Sequence, residues 1–310
     1  MVVWMVALGC SREVGIGQLG QPEPREHTDR YVQESASRSD VLFVVDNSES
    51  MQDEQEALAT NFPAFLDWFE ASEVDYHIGV ISTDMDDPQQ SGLLRESRGA
   101  RWIEPTTPDA ADILAEMTRL GITGSSDERG REAAYTALEL RGAANEGFRR
   151  DDAFLNIIVV SDEDDQSGDD RISLPAFTDY LQDLQTETRR TTFSAVVGPS
   201  SRAEAQACEV TPGFEYLAVT TTVGGVAWSI CEADWLPLIN DLGFVTIGLR
   251  RAFRLTYTPD PVTIEVSVDG GSVPEDGWTH DAEVNAVTFL GDPPPAGNEI
   301  IVRYITTDEP

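Results

Sequence analysis

Two short, wholly apolar runs, each breaking off into a polar and acidic loop, constrain this chain more than anything else in it. Val41-Leu42-Phe43-Val44-Val45 leads directly into Asp46-Asn47-Ser48-Glu49-Ser50, and Ile157-Ile158-Val159-Val160 leads into Ser161-Asp162-Glu163-Asp164-Asp165. A run without polar alternation suits a strand covered on both faces, so both read as central strands of a parallel sheet. Helical patterns lie between and around them. Leu58, Phe62, Phe65 and Phe69 share one stripe, with Pro63 expected to kink or split that helix. Thr107 and Pro108 suit a cap and first position for a helix over residues 109–120. Another helix is expected over residues 128–140, one begins near Ser173 and Pro175, and one closes the series over residues 234–242. Further strands are expected over residues 76–82, 101–103 and 192–197. Strand and helix alternate throughout, which makes the fold class α/β: a doubly wound, mostly parallel sheet flanked by helices.

Beyond Arg251 the period changes to two. Phe253, Leu255 and Tyr257 alternate, as do Val262, Ile264, Val266 and Val268, followed by a turn at Asp269-Gly270-Gly271. Val287 with Phe289, then Ile300, Val302 and Tyr304, continue the pattern. Residues 251–310 therefore read as a small, sandwich-like all-β module after an α/β domain over residues 40–250. A chain of 310 residues has room for both.

There are 56 acidic residues against 21 basic ones, with no lysine, for a formal net charge of −35. Nucleic acid is a poor partner for such a surface, because affinity for phosphate backbones comes from basic patches and counterion release. Divalent cations and basic protein surfaces are the natural counterparts.

At the N-terminus, the apolar stretch ending Ala7-Leu8-Gly9-Cys10-Ser11 resembles a bacterial lipobox. That resemblance implies a signal peptide over residues 1–10, lipidation of Cys10, and a lipid anchor as the only membrane attachment, in the bacterial envelope and by the residue after the cysteine at the outer membrane. Residues 11–39, with Pro22, Pro24 and no apolar period, read as a flexible tether. The GxGxxG at Gly15–Gly20 has neither a strand before it nor a helix after it, so it is not a dinucleotide site. Export makes a disulfide between Cys208 and Cys231 the expected pairing, two free buried thiols being the other reading.

In open α/β sheets, ligands bind outside the carboxyl ends of the strands. The loops after Val45 and Val160 sit there, together with Gly121-Ile122-Thr123-Gly124-Ser125-Ser126-Asp127 before the Glu128 helix. Hydroxyls and carboxylates from these loops are the oxygen donors that hard divalent ions take. VLFVVDNSESM, Val41 to Met51, is similar to the first strand and DxSxS motif of the von Willebrand A family, and NIIVVSDEDD, Asn156 to Asp165, is similar to its fourth strand. The resemblance spans roughly residues 40–248. It implies a metal-dependent adhesion site that holds Mg²⁺, with Mn²⁺ or Ca²⁺ as alternatives. Ser48 and Ser50 would bind directly, while Asp46 and Asp162 would act through water. The middle-loop ligand would be Thr123, with Ser125 and Ser126 as alternatives. A protein partner presenting an Asp or Glu carboxylate would complete the coordination. The plainer use of Asp46, Ser48 and Ser50 is to cap the following helix. Glu163, Asp164, Asp165, Asp169 and Asp170 read as a solvated acidic rim, and Asp84, Asp86 and Asp87 as a secondary acidic loop.

An enzyme is not expected. His27, His77 and His280 are scattered, no zinc spacing occurs, and no glycine-rich loop stands ready to cradle a phosphate. The expected function is metal-dependent protein binding and adhesion on an envelope lipoprotein. The alternative is a scaffold of an envelope assembly with an unused metal site, and a Mg²⁺-dependent phosphoesterase is a more distant one.

Overall fold

The structure, a computed structural model, describes residues 25–186, 190–282 and 284–306. Cys10, the expected signal peptide and the first part of the expected tether lie outside the described residues. The first strand is β1 (Arg25–Val32). β2 (Arg38–Val45), β3 (Asp75–Ser82), β4 (Phe154–Ser161), β5 (Thr191–Val197) and β6 (Ala227–Ser229) then form one parallel sheet, ordered β3-β2-β4-β5-β6. The connecting helices are α1 (Gln52–Ser72), α2 (Ala110–Thr118), α3 (Gly130–Tyr135), α4 (Leu174–Asp183), α5 (Arg202–Ala207), α6 (Phe214–Val223) and α7 (Leu236–Thr246).

The unbroken apolar run of β2 is explained by what covers it. Val41, Phe43 and Val45 enter a core shared with α1, α2 and α7, while Leu42 and Val44 enter a second core with α3, α4 and α6. Phe43 lies edge-on to Phe62 and Phe65 at centroid distances of 5.4 and 5.6 Å. Such pairs are each worth ~0.5–1.5 kcal/mol beyond the area they bury. The expected doubly wound α/β architecture is present. Its strand order reverses between β2 and β4: the chain leaves β2 towards one edge for β3, then returns to β2's other side for β4.

Several elements differ from expectation. Pro63 does not split α1, which runs unbroken; Leu58 and Phe62 before the ring and Phe65 and Phe69 after it are all buried in the same core. Thr107 does not cap α2. Its hydroxyl accepts from the Glu104 amide at 2.9 Å, closing a turn, and the helix starts one residue after Asp109, which takes a left-handed φ of 52°. The helix expected over residues 128–140 is α3 followed by a π-helical turn, Thr136–Leu140. Residues 101–103 make only an isolated antiparallel bridge, Ile103 to Ile78. Helices α5 and α6 and strand β6 carry no strong period of their own, and sequence reasoning missed them.

The largest departure concerns residues 11–39, expected as a tether. Residues 25–32 are β1, paired antiparallel along its whole length with β12 (Glu299–Thr306), so that Arg25 faces Thr306 and Val32 faces Glu299. Chain order between them runs β7 (Ala252–Arg254), β8 (Glu265–Val268), β9 (Gly271–Val273), β10 (Trp278–Asp281) and β11 (Ala286–Phe289). The antiparallel sheets β1-β12-β8-β9 and β10-β11-β7 enclose a core of Phe253, Val266, Val287, Phe289, Ile300, Val302 and Tyr304. The all-β module thus includes a strand from before the α/β domain. β1 escaped notice because it is an edge strand, and edge strands carry charge rather than an apolar stripe. Asp29 anchors it. The buried carboxylate accepts from the Thr256 amide at 2.9 Å, the Thr256 hydroxyl at 2.7 Å and the Tyr304 phenol at 2.8 Å, and His27 lies 3.1 Å away.

Within the module, the β8–β9 turn matches its sequence. Asp269 and Gly270 both take positive φ, 48° and 78°, as a tight hairpin turn matched to strand twist requires. The expected alternation at Val262 fails, because residues 261–263 form a 3₁₀ turn that leaves Val262 90% exposed. Among the described residues no helix is long and apolar enough to cross a membrane.

Candidate functional site

The reversal of strand order between β2 and β4 opens a crevice at their carboxyl ends, where ligands of such sheets bind. Asp46 follows β2 and Asp162 follows β4. The Asp46 amide donates to Val160 O at 3.0 Å, which extends the ladder by one residue and brings the two loops side by side. Asp46 is wholly buried. One of its oxygens accepts from the Ser48 amide at 2.7 Å and the other from the Ser161 hydroxyl at 2.6 Å. Burial pushes the Asp46 carboxyl above its ordinary range, against these hydrogen bonds, and the Asp162 charge adds to the rise.

The hydroxyls of Ser48 and Ser50 face one another at 3.2 Å. Ser48 stands at the cap position of the short 3₁₀ turn Glu49–Met51, yet neither it nor Met51 before α1 makes a side-chain cap bond. The capping use of these serines is therefore not the one adopted. Ser50 is exposed and gives the site an outward edge.

The middle loop is drawn in by backbone contacts. The Gly124 amide donates to Asn47 O at 2.9 Å, and a Cβ at residue 124 would stand 2.2 Å from Asn47 Oδ1, so a larger residue would displace the Asn47 amide from its bonds with Ser82 and Gln90. Gln55, reaching up from α1, donates to Asp46 O at 2.9 Å and Gly121 O at 3.0 Å and ties the first loop to the middle one. Thr123 is exposed. Ser125 is turned towards the neighbouring acidic loop: its amide donates to Asp84 at 3.1 Å and its hydroxyl to Asp86 at 2.8 Å. Ser126 is exposed, with its carbonyl accepting from Gln166 at 3.4 Å.

The side chain of this segment that turns into the interior is Glu128, expected only as the start of a helix. It is wholly buried, and one of its carboxylate oxygens accepts a short hydrogen bond from the Thr83 hydroxyl. Burial, then the Asp46 charge, push Glu128 up to about 9. Glu163 and Glu54 are also pushed up, first by burial and then by the charges of Asp46 and Asp162. Acidic side chains from four segments thus converge here. Only burial on folding identifies Glu54 and Glu128, because neither falls in a recognisable ligand spacing.

The residues fit a hard cation by two observations. Asp162 Oδ1 and Glu128 Oε1 are buried with no hydrogen-bond partner among the described residues, and buried carboxylate oxygens left unmatched are costly. The donors are carboxylates and hydroxyls, which suit Mg²⁺, Mn²⁺ or Ca²⁺ rather than soft metals. Considered without the hydroxyls, the set is sparse: among the described residues no three Asp, Glu, His or Cys side chains form a metal-holding group by themselves.

The other acidic residues mostly brace loops. Asp84 accepts from the amides of Asp86 and Asp87 at 2.8 and 3.1 Å, and Asp86 pairs with Arg129. Asp164 and Asp165 do not belong to a solvated rim. Asp164 accepts from the Glu215 amide at 2.9 Å, and Asp165 is buried in an ion pair with Arg131 at 3.2 Å. Cys208 and Cys231, beyond the carboxyl ends of β5 and β6, form a disulfide with Cα atoms 5.9 Å apart, and three residues after Cys208 the Thr211 amide donates to Asp162 O at 2.8 Å.

No family model and no curated protein matches the chain. Among solved structures, it is similar to the pilus adhesin SpaC from Lactobacillus rhamnosus GG in its open conformation, at 10% identity and TM-score 0.47, over 92% of this chain and 41% of that one. It is similar to a von Willebrand factor type A structure from Catenulispora acidiphila at 10% identity and TM-score 0.40, over 93% and 66%. Proximal thread matrix protein 1 from the mussel byssus is similar at 13% identity and TM-score 0.39, over 73% and 51%. The chain spans 41% of the adhesin's length.

Proposed function

We propose that this protein binds another protein through a divalent cation held by Asp46, Ser48, Ser50 and Asp162, and that it does so as an adhesion module of a bacterial envelope lipoprotein. The observation that carries this reading is the convergence of the loops after β2 and β4 at the reversal of strand order, with Asp162 Oδ1 buried and unpartnered among the described residues. A bound Mg²⁺ or Mn²⁺ supplies a local positive charge on an otherwise acidic surface, so that an Asp or Glu side chain of the partner can complete its coordination. This chain's residues position the cation. Ser161 orients Asp46, the Ser48–Ser50 pair presents two hydroxyls, and Gln55 fixes the loops around them. The resemblance of DNSES and of the Asp162 loop to the von Willebrand A motif supports the same roles. Lipidation at Cys10, and with it placement at the outer membrane, rests on the lipobox resemblance alone.

The scaffold reading has one observation in its favour, the sparse carboxylate set noted above. Calorimetric titration of Mg²⁺ and Mn²⁺ into the purified protein and its Asp46→Ala variant separates the two. Saturable binding by the wild type that is lost in the variant is expected. Binding by neither protein, or equal binding by both, overturns the metal reading and leaves the scaffold.

A further inference from the structure

We propose that a small oxyanion, carboxylate or phosphate, binds between Arg190 and Arg250 at the amino end of the parallel sheet, where the α/β domain meets the β module. This inference is independent of the metal reading above. Arg190 immediately precedes β5, and its guanidinium lies over the Phe154 ring, 6.0 Å from the centroid. Its Nη1 donates to Gly248 O at 3.1 Å, two residues before Arg250. Arg190 and Arg250 together line two adjoining clefts of ≈ 710 Å³ and ≈ 550 Å³, each with room for a small organic ion. Both side chains are half-buried, and among the described residues neither forms an ion pair. The Arg250 guanidinium makes no hydrogen bond there either, and its Nε is a buried donor without an acceptor. The acids lining the clefts do not neutralise the pair. Asp152 is bound to Arg38 at 2.5 Å and Asp241 to Arg251 at 2.9 Å, while Glu34 is exposed and pairs with neither arginine. Burial lowers the Arg190 pKa and the Arg250 charge lowers it further, with Glu34 the smaller opposing influence. In a chain with 56 acidic residues against 21 basic ones, two half-buried guanidiniums without an acid are an uncompensated positive site. An oxyanion accepting from both supplies the missing charge and the missing acceptor, and the planar fork of arginine matches carboxylate and phosphate oxygens.

The backbone fixes both arginines in advance. Arg190 O accepts from the Leu155 amide at 2.9 Å, which ties it to β4. Arg250 is held by the buried Gln33: its amide donates to Gln33 Oε1 at 3.2 Å, and its carbonyl accepts from Gln33 Nε2 at 2.8 Å. The Gly297 amide donates to Gln33 O at 2.7 Å, and the Ala36 amide to Ile247 O at 2.8 Å. The two connections between domain and module, residues 33–37 and 247–251, therefore run side by side along the cleft. A site held in place before its ligand arrives loses little to ordering on binding. An anion here would fasten Arg190 of the α/β domain to the connection that carries Arg250.

The test titrates inorganic phosphate, and separately citrate, into the full chain in EDTA, against chloride at equal ionic strength. Melting temperature gives the affinity, and hydrogen exchange of peptides covering residues 33–37 and 247–251 gives the place. Wild type should show a saturable rise in melting temperature and added protection in both peptides, and the anion that saturates at lower concentration assigns the site to phosphate or to carboxylate. Arg190→Gln and Arg250→Gln should each weaken binding at least ~10-fold, the lower end of what a hydrogen bond to a charged group is worth. Arg202→Gln removes the same charge from an exposed position on α5, beyond the sheet's other end, and should bind as wild type does. In chloride, Arg250→Gln should melt no lower than wild type, because its guanidinium holds nothing in the protein. If Arg190→Gln melts early through loss of the Gly248 bond, the Arg250→Gln comparison decides alone. No stabilisation by either anion beyond that of chloride overturns the proposal. So does wild-type affinity in Arg250→Gln, or equal weakening in Arg202→Gln, which would make the effect one of net charge.

Discussion

Replacing Asp29 with alanine tests whether β1 is part of the C-terminal module. The carboxylate accepts two hydrogen bonds from Thr256 and one from Tyr304, and Tyr304 is 1% exposed. Truncation leaves the Tyr304 hydroxyl inside the module without its acceptor, whereas Thr256 is exposed and can turn to water. An orphaned buried group costs ~1–3 kcal/mol, so about 2 kcal/mol is expected. That loss corresponds to roughly a 30-fold rise in the opening equilibrium that exposes the module's amides. Hydrogen exchange read by mass spectrometry should show it in peptides covering β12 and β8, with those covering β2 and β4 left nearly unchanged. The pH dependence has a definite sign. Burial raises the Asp29 pKa, but the hydrogen bonds from Thr256, Tyr304 and His27 outweigh it and hold the group below 3.8. A carboxyl held lower in the folded state than in the unfolded one contributes stability above the unfolded value and loses it as pH falls through the folded one. The difference between wild type and Asp29→Ala should therefore be full at neutral pH and shrink below about pH 4. Loss of protection under tenfold in β12, or equal loss in β2 and β4, would refute the account of β1 as the strand that closes the module.

The remaining predictions concern the α/β domain. Without metal, Glu128 has a folded pKa of about 9 against an ordinary 4.5, so its contribution to stability is complete below 4.5 and lost as pH rises through the folded value. In chelator, wild type should lose melting temperature relative to Glu128→Gln between pH 5 and 9, and parallel curves would contradict this. Reduction of Cys208–Cys231, which are 23 residues apart, should cost about 3 kcal/mol in the chain-entropy estimate, read as an earlier denaturant midpoint in reductant.

Much of the α/β domain was legible because its signals are local. β2 and β4 announce themselves as unbroken apolar runs, since each is covered on both faces, and the polar residues that follow mark the strand ends where a doubly wound sheet binds ligands. The positions of Asp46 and Asp162 at those strand ends were legible on that ground. The Asp269-Gly270 turn was equally legible, because its backbone needs only what those two residues supply. The edge strand β1 was not. Its eight residues carry no apolar period, and their partner β12 lies at the other end of the chain. Pro63 misled for a related reason: the cost of a helical proline is local, while the buried stripe that overrides it is tertiary.

The sequence by itself determined the fold class, the crevice and the first two loops of the site, because strand burial and turn chemistry are written in neighbouring residues. Tertiary structure alone decided that Glu128 is wholly buried beneath the middle loop, that Asp164 and Asp165 brace loops rather than face solvent, and that the chain's first described strand completes its last module. Each of these depends on which distant groups share a buried volume. Burial gives a carboxylate its need for a partner, and no spacing along the chain records it.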